Sequence, residues 1–352
     1  MTKQSGFDLL RPNGPVAFGQ IPEGCVLRFY QEADEERLVD LLVEAYPRWP
    51  GVDISTPAIE YLRWKLRSGP DALRYHVVAE LASRIIACRF FLLQNVKFGD
   101  LVLAVRQGVD TSVRPAFQRR GLMTALTYPM PERLRAFDAD FSVRSGEEAL
   151  ERAVRYDERK NFYASVDVLR CNLAVTKRRS HDSAPSAWSI RSAPRFDDRI
   201  RPFMAEAAAP FWLIVERTLE YLNWRFADAR AGAFTIRLAE AEGLILGYLV
   251  LRMSGSRGYI ADLLVLPGRD DVVASLVSDA LGQFRSGGVL SVECWATRNH
   301  PYREVLGQHG FDQKRRTMQF YCQPMRVADE VVQPFGGRDV VMHLVSGDTD
   351  LV

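Results

Sequence analysis

The residues with the clearest chemistry lie in one run, Val113-Arg114-Pro115-Ala116-Phe117-Gln118-Arg119-Arg120-Gly121-Leu122-Met123-Thr124-Ala125-Leu126. Leu101-Val102-Leu103-Ala104-Val105 ahead of it reads as a buried strand, continued by the β-prone Gln107 to Val113. Behind Gly121, the residues Leu122, Met123, Ala125 and Leu126 are strong helix formers. A strand that turns through a short basic loop with a glycine and then opens a helix gathers several unpaired backbone N–H groups. Those amides and the positive end of the helix dipole suit a phosphate or pyrophosphate. Arg119 and Arg120 add charge beside such a group. A lone Gly-rich loop is a weak sign, and the plain alternative is a basic surface turn between core elements.

The elements that must position this loop recur along the chain. Glu60-Tyr61-Leu62-Arg63-Trp64-Lys65 returns 160 residues later as Glu220-Tyr221-Leu222-Asn223-Trp224-Arg225. Val78-Ala79-Glu80 and Ile85-Ile86-Ala87 return at the same offset as Leu238-Ala239-Glu240 and Ile245-Leu246-Gly247. Val113-Arg114-Pro115 returns as Val265-Leu266-Pro267, and Asn161-Phe162 as Gly310-Phe311. Such order at a near-constant offset reads as two copies of one α/β unit. The 352 residues agree, at roughly 150 residues per domain. The organisation expected is an N-terminal extension over 1–24, a first domain over 25–176, a polar linker over 177–187, a second domain over 188–325 and a tail over 326–352.

In the first copy the periodicity predicts a strand at Val26–Tyr30 and an amphipathic helix over Asp34–Ala45, with Leu38, Leu41 and Leu42 on one face. Thr56 is expected to cap a second helix that reaches Leu66. Arg74–Leu81 and Arg84–Leu93 form a hairpin joined at Ala82-Ser83. Leu101–Val113 is the central strand, followed by a helix from Gly121 to about Ala136. Phe141–Val143 is a short strand, Glu147–Arg159 a charged helix and Phe162–Leu173 a closing strand. In the tail, Gln333–Gly337 reads as a turn and Val340–Val345 as a strand.

Composition excludes several classes. An apolar share of 47% with 26% charged residues is that of a globular protein, and a net charge of +2 favours neither nucleic acid nor an anionic membrane as partner. The five cysteines, Cys25, Cys88, Cys171, Cys294 and Cys322, are scattered without a Cys-x-x-Cys. That pattern points to a reducing cytoplasm rather than a disulfide framework. No signal peptide is read in the first residues, and no apolar run approaches the ~20 residues of a membrane span. The histidines have no metal-ligand spacing with acids, so no metal is expected. A monomer or homodimer is expected.

Val-x-Pro-x-Phe-Gln-x-Arg-Gly after a strand resembles the acyl-CoA loop of the GNAT acyltransferase superfamily. Its pattern is Gln or Arg, two residues, Gly, one residue, then Gly or Ala. Gln118, Arg120 and Gly121 match, while Met123 stands where the second small residue belongs. The Arg119-Arg120-Gly121-Leu122 variant resembles the enhanced-intracellular-survival branch, and the Tyr-Leu-x-Trp-Lys helix resembles tandem members found with bacterial polysaccharide genes. The resemblance implies an α/β fold with a mixed sheet, in two tandem GNAT-like domains with the second degenerate. It implies acetyl-CoA, or another acyl-CoA, as co-substrate held by Val113, Gln118, Arg119, Arg120, Gly121, Leu122, Met123 and Thr124. At the offset of the Val-x-Pro repeat, Gln118 to Gly121 fall on Asp270-Asp271-Val272-Val273. Two carboxylates there repel a pyrophosphate, so only the first copy is expected to bind CoA.

Acyl transfer to an amine needs an oxyanion donor, a base and an acid besides the cofactor cradle. By resemblance the donor is a backbone N–H near Val113 on a splayed strand, and the acid is Tyr156, with Tyr163 as fallback. Asp110 is the best-placed carboxylate for the base, unless it merely pairs with Arg106 or another neighbour. In the enhanced-intracellular-survival branch the C-terminal carboxylate reaches the active site. Ser346-Gly347-Asp348-Thr349-Asp350-Leu351-Val352 resembles the tails of the polysaccharide-associated group, which makes Asp348 and Asp350 candidates for an amine-binding cavity; a solvated acidic tail is the alternative. Tyr61 and Trp64 share a helix face, as do Tyr221 and Trp224. This is core spacing, although in the resembling group the matching helix borders the acceptor cleft, which makes Tyr61 and Trp64 acceptor candidates. The reading is an N-acetyltransferase acting by direct attack on a small-molecule amine such as an amino sugar. An acetyltransferase for an aminoglycoside or protein lysine, a longer acyl donor and a non-catalytic acyl-CoA-binding sensor or scaffold stay open.

Overall fold

The computed structural model describes residues 21–47, 49–50, 54–69, 76–127, 137–145, 162–174 and 188–349. The expected helix over Glu147–Arg159, the linker and most of the N-terminal extension lie outside them.

The first repeat begins with β1 (Val26–Phe29), α1 (Glu35–Ala45) and α2 (Ala58–Arg67). Leu38, Leu41 and Leu42 of α1 are completely buried, an apolar stripe in which each side chain stabilises the docked helix by ~2 kcal/mol. The helix α2 differs from expectation at its start. Pro57 takes the cap position without a side-chain bond, and the Thr56 hydroxyl instead donates to Ala229 O at 3.3 Å. The hairpin β2 (Val77–Leu81) to β3 (Arg84–Phe98) turns at Ala82 and Ser83, both left-handed (φ 47° and 63°), which suits the twist of a two-residue hairpin. Then follow β4 (Leu101–Val113), α3 (Leu122–Thr127), β5 (Ala139–Ser145) and β6 (Phe162–Asn172). The strand β3 outruns its predicted end because the hydrogen-bonded register with β4 continues to Phe98–Leu101.

The second repeat has β7 (Ser189–Ala193), α4 (Ile200–Ala207), β8 (Leu213–Val215), α5 (Leu219–Leu222), β9 (Phe234–Ala241) and β10 (Leu244–Ser254). It continues through β11 (Arg257–Val265), α6 (Asp270–Ser286), β12 (Ser291–Thr297), α7 (Arg303–Gln308) and β13 (Gln313–Pro324). The tail adds α8 (Asp329–Val332) and β14 (Met342–His343), the latter much shorter than the predicted strand.

One mixed sheet runs through both repeats in the order β1-β2-β3-β4-β5-β13-β6-β12-β11-β10-β9-β7. This order is a palindrome in which the closing strands are exchanged. β13 of the second repeat pairs with β5, and β6 of the first pairs with β12. The two closing strands pair with each other at the centre. Each repeat thereby covers an edge that the other would leave open. On the helical side the seam is closed by Trp64 and Trp224, stacked at 5.0 Å, with each indole N–H donated to the other's carbonyl. Among the described residues no helix is long and apolar enough to cross a membrane.

Candidate acyl-donor site

The first-repeat loop leaves β4 at Val113. The Arg114 amide bonds Ile86 O at 2.9 Å, so the Val113 N–H turns away from β3 towards β5. There β5 pairs with β4 only over Val105–Gln107, and the two strands then part. The chain turns through Pro115–Phe117, and Gln118 Nε2 donates back to Val113 O at 3.2 Å. Arg119 and Gly121 are left-handed (φ 62° and 74°), which folds the loop back over the helix start. Leu122, Ala125 and Leu126 are buried and dock the helix. Gln118, Arg119 and Arg120 are exposed, with the Arg120 guanidinium 5.7 Å from the Phe117 ring. Met123 is half-exposed, away from the Leu122 and Leu126 face. Among the described residues, none accepts from the amides of Arg119, Arg120, Gly121 or Leu122.

The second repeat closes the same place. The Leu266 amide bonds Leu246 O as Arg114 bonds Ile86, so Val265 is the counterpart of Val113. Its N–H donates to the Tyr302 hydroxyl at 2.9 Å, and that hydroxyl donates to Val265 O at 3.1 Å. The connection is only Leu266–Arg269, against Arg114–Gly121 in the first repeat. The expected alignment of Gln118–Gly121 with Asp270–Val273 is therefore corrected: Asp270 and Asp271 form the first turn of α6, and the shortened loop has no counterpart of Arg119–Gly121. The Val272 and Val273 amides are taken by Arg269 O, and the Asp271 carboxyl, held below its usual range chiefly by its bond from Arg269, occupies the helix start.

Asp110 lies three residues before Val113, in a bulge. Cys88 faces Ser112 and Phe90 faces Val109, so Asp110 and Thr111 together oppose Arg89. Asp110 is left-handed at φ 43°. Its cation is not Arg106, which pairs with Asp140 at 2.6 Å. Lys65 of α2 reaches it instead at 2.5 Å, and the Trp49 indole donates to its other oxygen at 3.2 Å. Lys65 was visible in the repeated helix but carried no assignment, because its partner lies on a distant strand. The same helix carries Tyr61 and Trp64. Both are buried, Tyr61 between Trp49 (5.7 Å) and Trp64 (5.3 Å), and Trp64 in the seam stack. The core spacing read from the sequence matches this burial, and the Trp64 ring and N–H are committed to the other repeat.

The tail carries a second buried cluster. Arg217 contacts Asp262 at 3.3 Å and Asp348 at 2.8 Å. Asp262 also accepts from Tyr248 and the Leu263 amide and contacts His343, which is 3.0 Å from His300. Burial is the largest influence on the Asp262 carboxyl and would raise it, but the Arg217 charge together with the contacts from His343 and Tyr248 outweighs it and holds the group below the usual range. Burial pushes Asp348 up despite Arg217. Gln94 of β3 donates to Asp348 O, and Arg225 holds the carbonyls of Gly347 and Thr349. Asp348 is therefore buried rather than solvated, and it ties the tail across the seam. Tyr156 and Asp350 lie outside the described residues. Tyr163 lies on β6 with its ring edge-on to Tyr321 at 5.0 Å.

No protein-family model and no curated protein matches the sequence. Solved structures do match in shape. Saccharomyces cerevisiae N-myristoyltransferase with bound myristoyl-CoA aligns with a TM-score of 0.60 at 12% identity, over 86% of this chain and 83% of its own. A GCN5-related N-acetyltransferase from Anabaena variabilis aligns at 0.58 and 10% identity, over 86% and 73%. A tandem GNAT protein from the clavulanic acid biosynthesis pathway aligns at 0.56 and 14% identity, over 87% of this chain and 100% of its own. With the palindromic sheet and the paired Val113 and Val265 forks, the chain has the tandem GNAT fold.

Proposed function

We propose that the chain is an acyl-CoA-dependent N-acyltransferase with one donor site, in the first repeat. One observation carries this reading. The Val113 amide and the loop amides from Arg119 to Leu122 have no acceptor among the described residues, whereas Tyr302 and a shortened loop close the equivalent place in the second repeat. Gln118, Arg119, Arg120, Gly121, Leu122, Met123 and Thr124 would hold the pyrophosphate of acyl-CoA through backbone amides and arginine charge. The Val113 N–H, turned into the gap between β4 and β5, would receive the thioester oxygen as it gains charge.

The neutral amine nitrogen of the acceptor attacks the thioester carbonyl and the carbon–sulfur bond breaks. Tyr156, the acid proposed on the sequence resemblance, gives its proton to the departing thiolate and is reprotonated, through solvent water, by the proton the amine loses as the amide forms. Direct attack is favoured over an acyl-cysteine. Burial pushes the Cys88, Cys294 and Cys322 thiols up, Cys294 to about 12, so none is a ready thiolate. The five described cysteines are free, which fits a cytoplasmic setting. What favours a short acyl group is that the gap ends where β4 and β5 last pair, at buried Arg106, which is bonded to Asp140 with Phe91 (4.8 Å) and Phe137 (5.9 Å) against its guanidinium. Acetyl is therefore the donor proposed. A longer donor has one point in favour, the myristoyl-CoA bound to the yeast enzyme of like fold. A small-molecule amine such as an amino sugar is proposed as acceptor, on the sequence resemblance.

Thiol release from acetyl-CoA on a panel of amino sugars, aminoglycosides and lysine peptides tests this reading. Release with an amino sugar is the expected result. Acetyl-CoA binding without release on any amine would replace the enzyme by an acyl-CoA-binding protein.

A further inference from the structure

The β4 bulge carries a carboxylate in both repeats. Asp262 stands 152 residues after Asp110, at the bulge where β11 leaves register with β10 between Val250 and Leu251. Only the first repeat has the open donor loop, so proton transfer cannot be what the two acids share. What they share is a buried cation. Lys65 lies 2.5 Å from Asp110 with its side chain 2% exposed, and Arg217 lies 3.3 Å from Asp262. Arg225, the residue aligned with Lys65, turns to the tail carbonyls instead, so each repeat supplies its bulge cation from a different position.

The first-repeat bulge needs such support more than the second. Asp110 is left-handed and Asp262 is not. A side chain is held in that region only where its surroundings fix it, and Asp and Asn tolerate it best. Four groups besides Lys65 converge on the turn. The Trp49 indole takes the second carboxylate oxygen, Tyr46 Oη bonds Thr111 O at 3.0 Å, and Ser112 Oγ and the Cys88 thiol donate to Asp110 O at 3.2 and 3.5 Å. β4 has parted from β5 after Gln107, just ahead of this turn, and beyond the turn the Val113 amide faces the gap.

We propose that Lys65 and Asp110 are a positioning pair that fixes the left-handed turn of β4, and so aims the Val113 amide into the donor gap. The inference rests on the N-acyltransferase reading and changes one part of it: the pair acts through the backbone of β4, and Asp110 is not the base. A carboxylate already bonded to an ammonium and an indole N–H is a poor proton acceptor. Its two oxygens serve as hydrogen-bond acceptors, a role an amide oxygen fills in part.

Asp110→Asn separates the two roles, since it keeps left-handed tolerance and one acceptor oxygen but removes the base. The measurements are the acetyl-CoA-induced rise in melting temperature and, with whichever amine the wild type acetylates, the rate of thiol release. The positioning role predicts that Asp110→Asn loses less than about tenfold in rate, far from the ~10²–10⁴-fold cost of removing a general base. Asp110→Ala and Lys65→Met should lose most of the acetyl-CoA shift as well as the rate, and Lys65→Arg should recover both. Rate loss of the base size in Asp110→Asn with an intact acetyl-CoA shift would overturn the proposal. So would an undiminished shift in Lys65→Met. If the wild type releases no thiol with any amine, the enzyme reading fails, while the shifts still decide whether the pair shapes the donor gap.

Discussion

At the scale of residues, conformation separates an open donor loop from a closed one. Arg119 is a non-glycine residue in the left-handed region, and with Gly121 it turns a loop whose amides from Arg119 to Leu122 have no acceptor among the described residues. The loop residues were legible in the sequence because glycine and arginine spacing is local. Tyr302 was not, because a hydroxyl that plugs a strand 37 positions away leaves no periodic trace. His76 offers a separate test of the packing behind α2. Burial drives its imidazole down to about 4, with the Lys65 charge adding to that and a bond to Leu66 O opposing it. The folded value lies below that of the unfolded chain, so the unfolded state takes up the proton first as pH falls. The stability His76 contributes is whole above its ordinary value of 6.5 and drains away towards 4, on the order of 3 kcal/mol in full. Melting temperatures at the two ends of that window should differ in the wild type by more than in His76→Phe. An equal difference in both would contradict the assignment.

At the scale of elements, the repeated helix explains why the chain carries Tyr-Leu-x-Trp twice. Trp64 of α2 and Trp224 just after α5 meet face to face, and each satisfies the other's carbonyl. The spacing in the sequence identified the buried face but not what buries it. Its partner is the second copy, and no local pattern encodes that. Thr56 misled for a related reason: a capping residue by type, it bonds Ala229 across the seam, while Thr218 of the second copy does cap its helix. Removing the indole in Trp64→Ala should destabilise the protein by ~3–5 kcal/mol, the range for a large buried aromatic. Urea unfolding measures it, and a loss below about 1 kcal/mol would mean that the seam does not support the fold.

At the scale of the molecule, the two repeats share one sheet with exchanged closing strands. Offsets of 160 and 152 made the duplication legible. The exchange of β6 and β13 was not legible, because either register buries the same apolar faces and the choice lies in pairings far apart along the chain. The tail completes the assembly, since Asp348 joins Arg217 in one repeat while its carbonyl joins Gln94 in the other. A shared sheet does not make the repeats equivalent, and the central claim is that only the first holds acyl-CoA. Isothermal titration with acetyl-CoA tests it most directly. The account predicts one equivalent bound per chain, and none when Gly121→Val denies the loop its left-handed turn in a protein that still melts cooperatively. Two equivalents, or one that survives Gly121→Val, would contradict it.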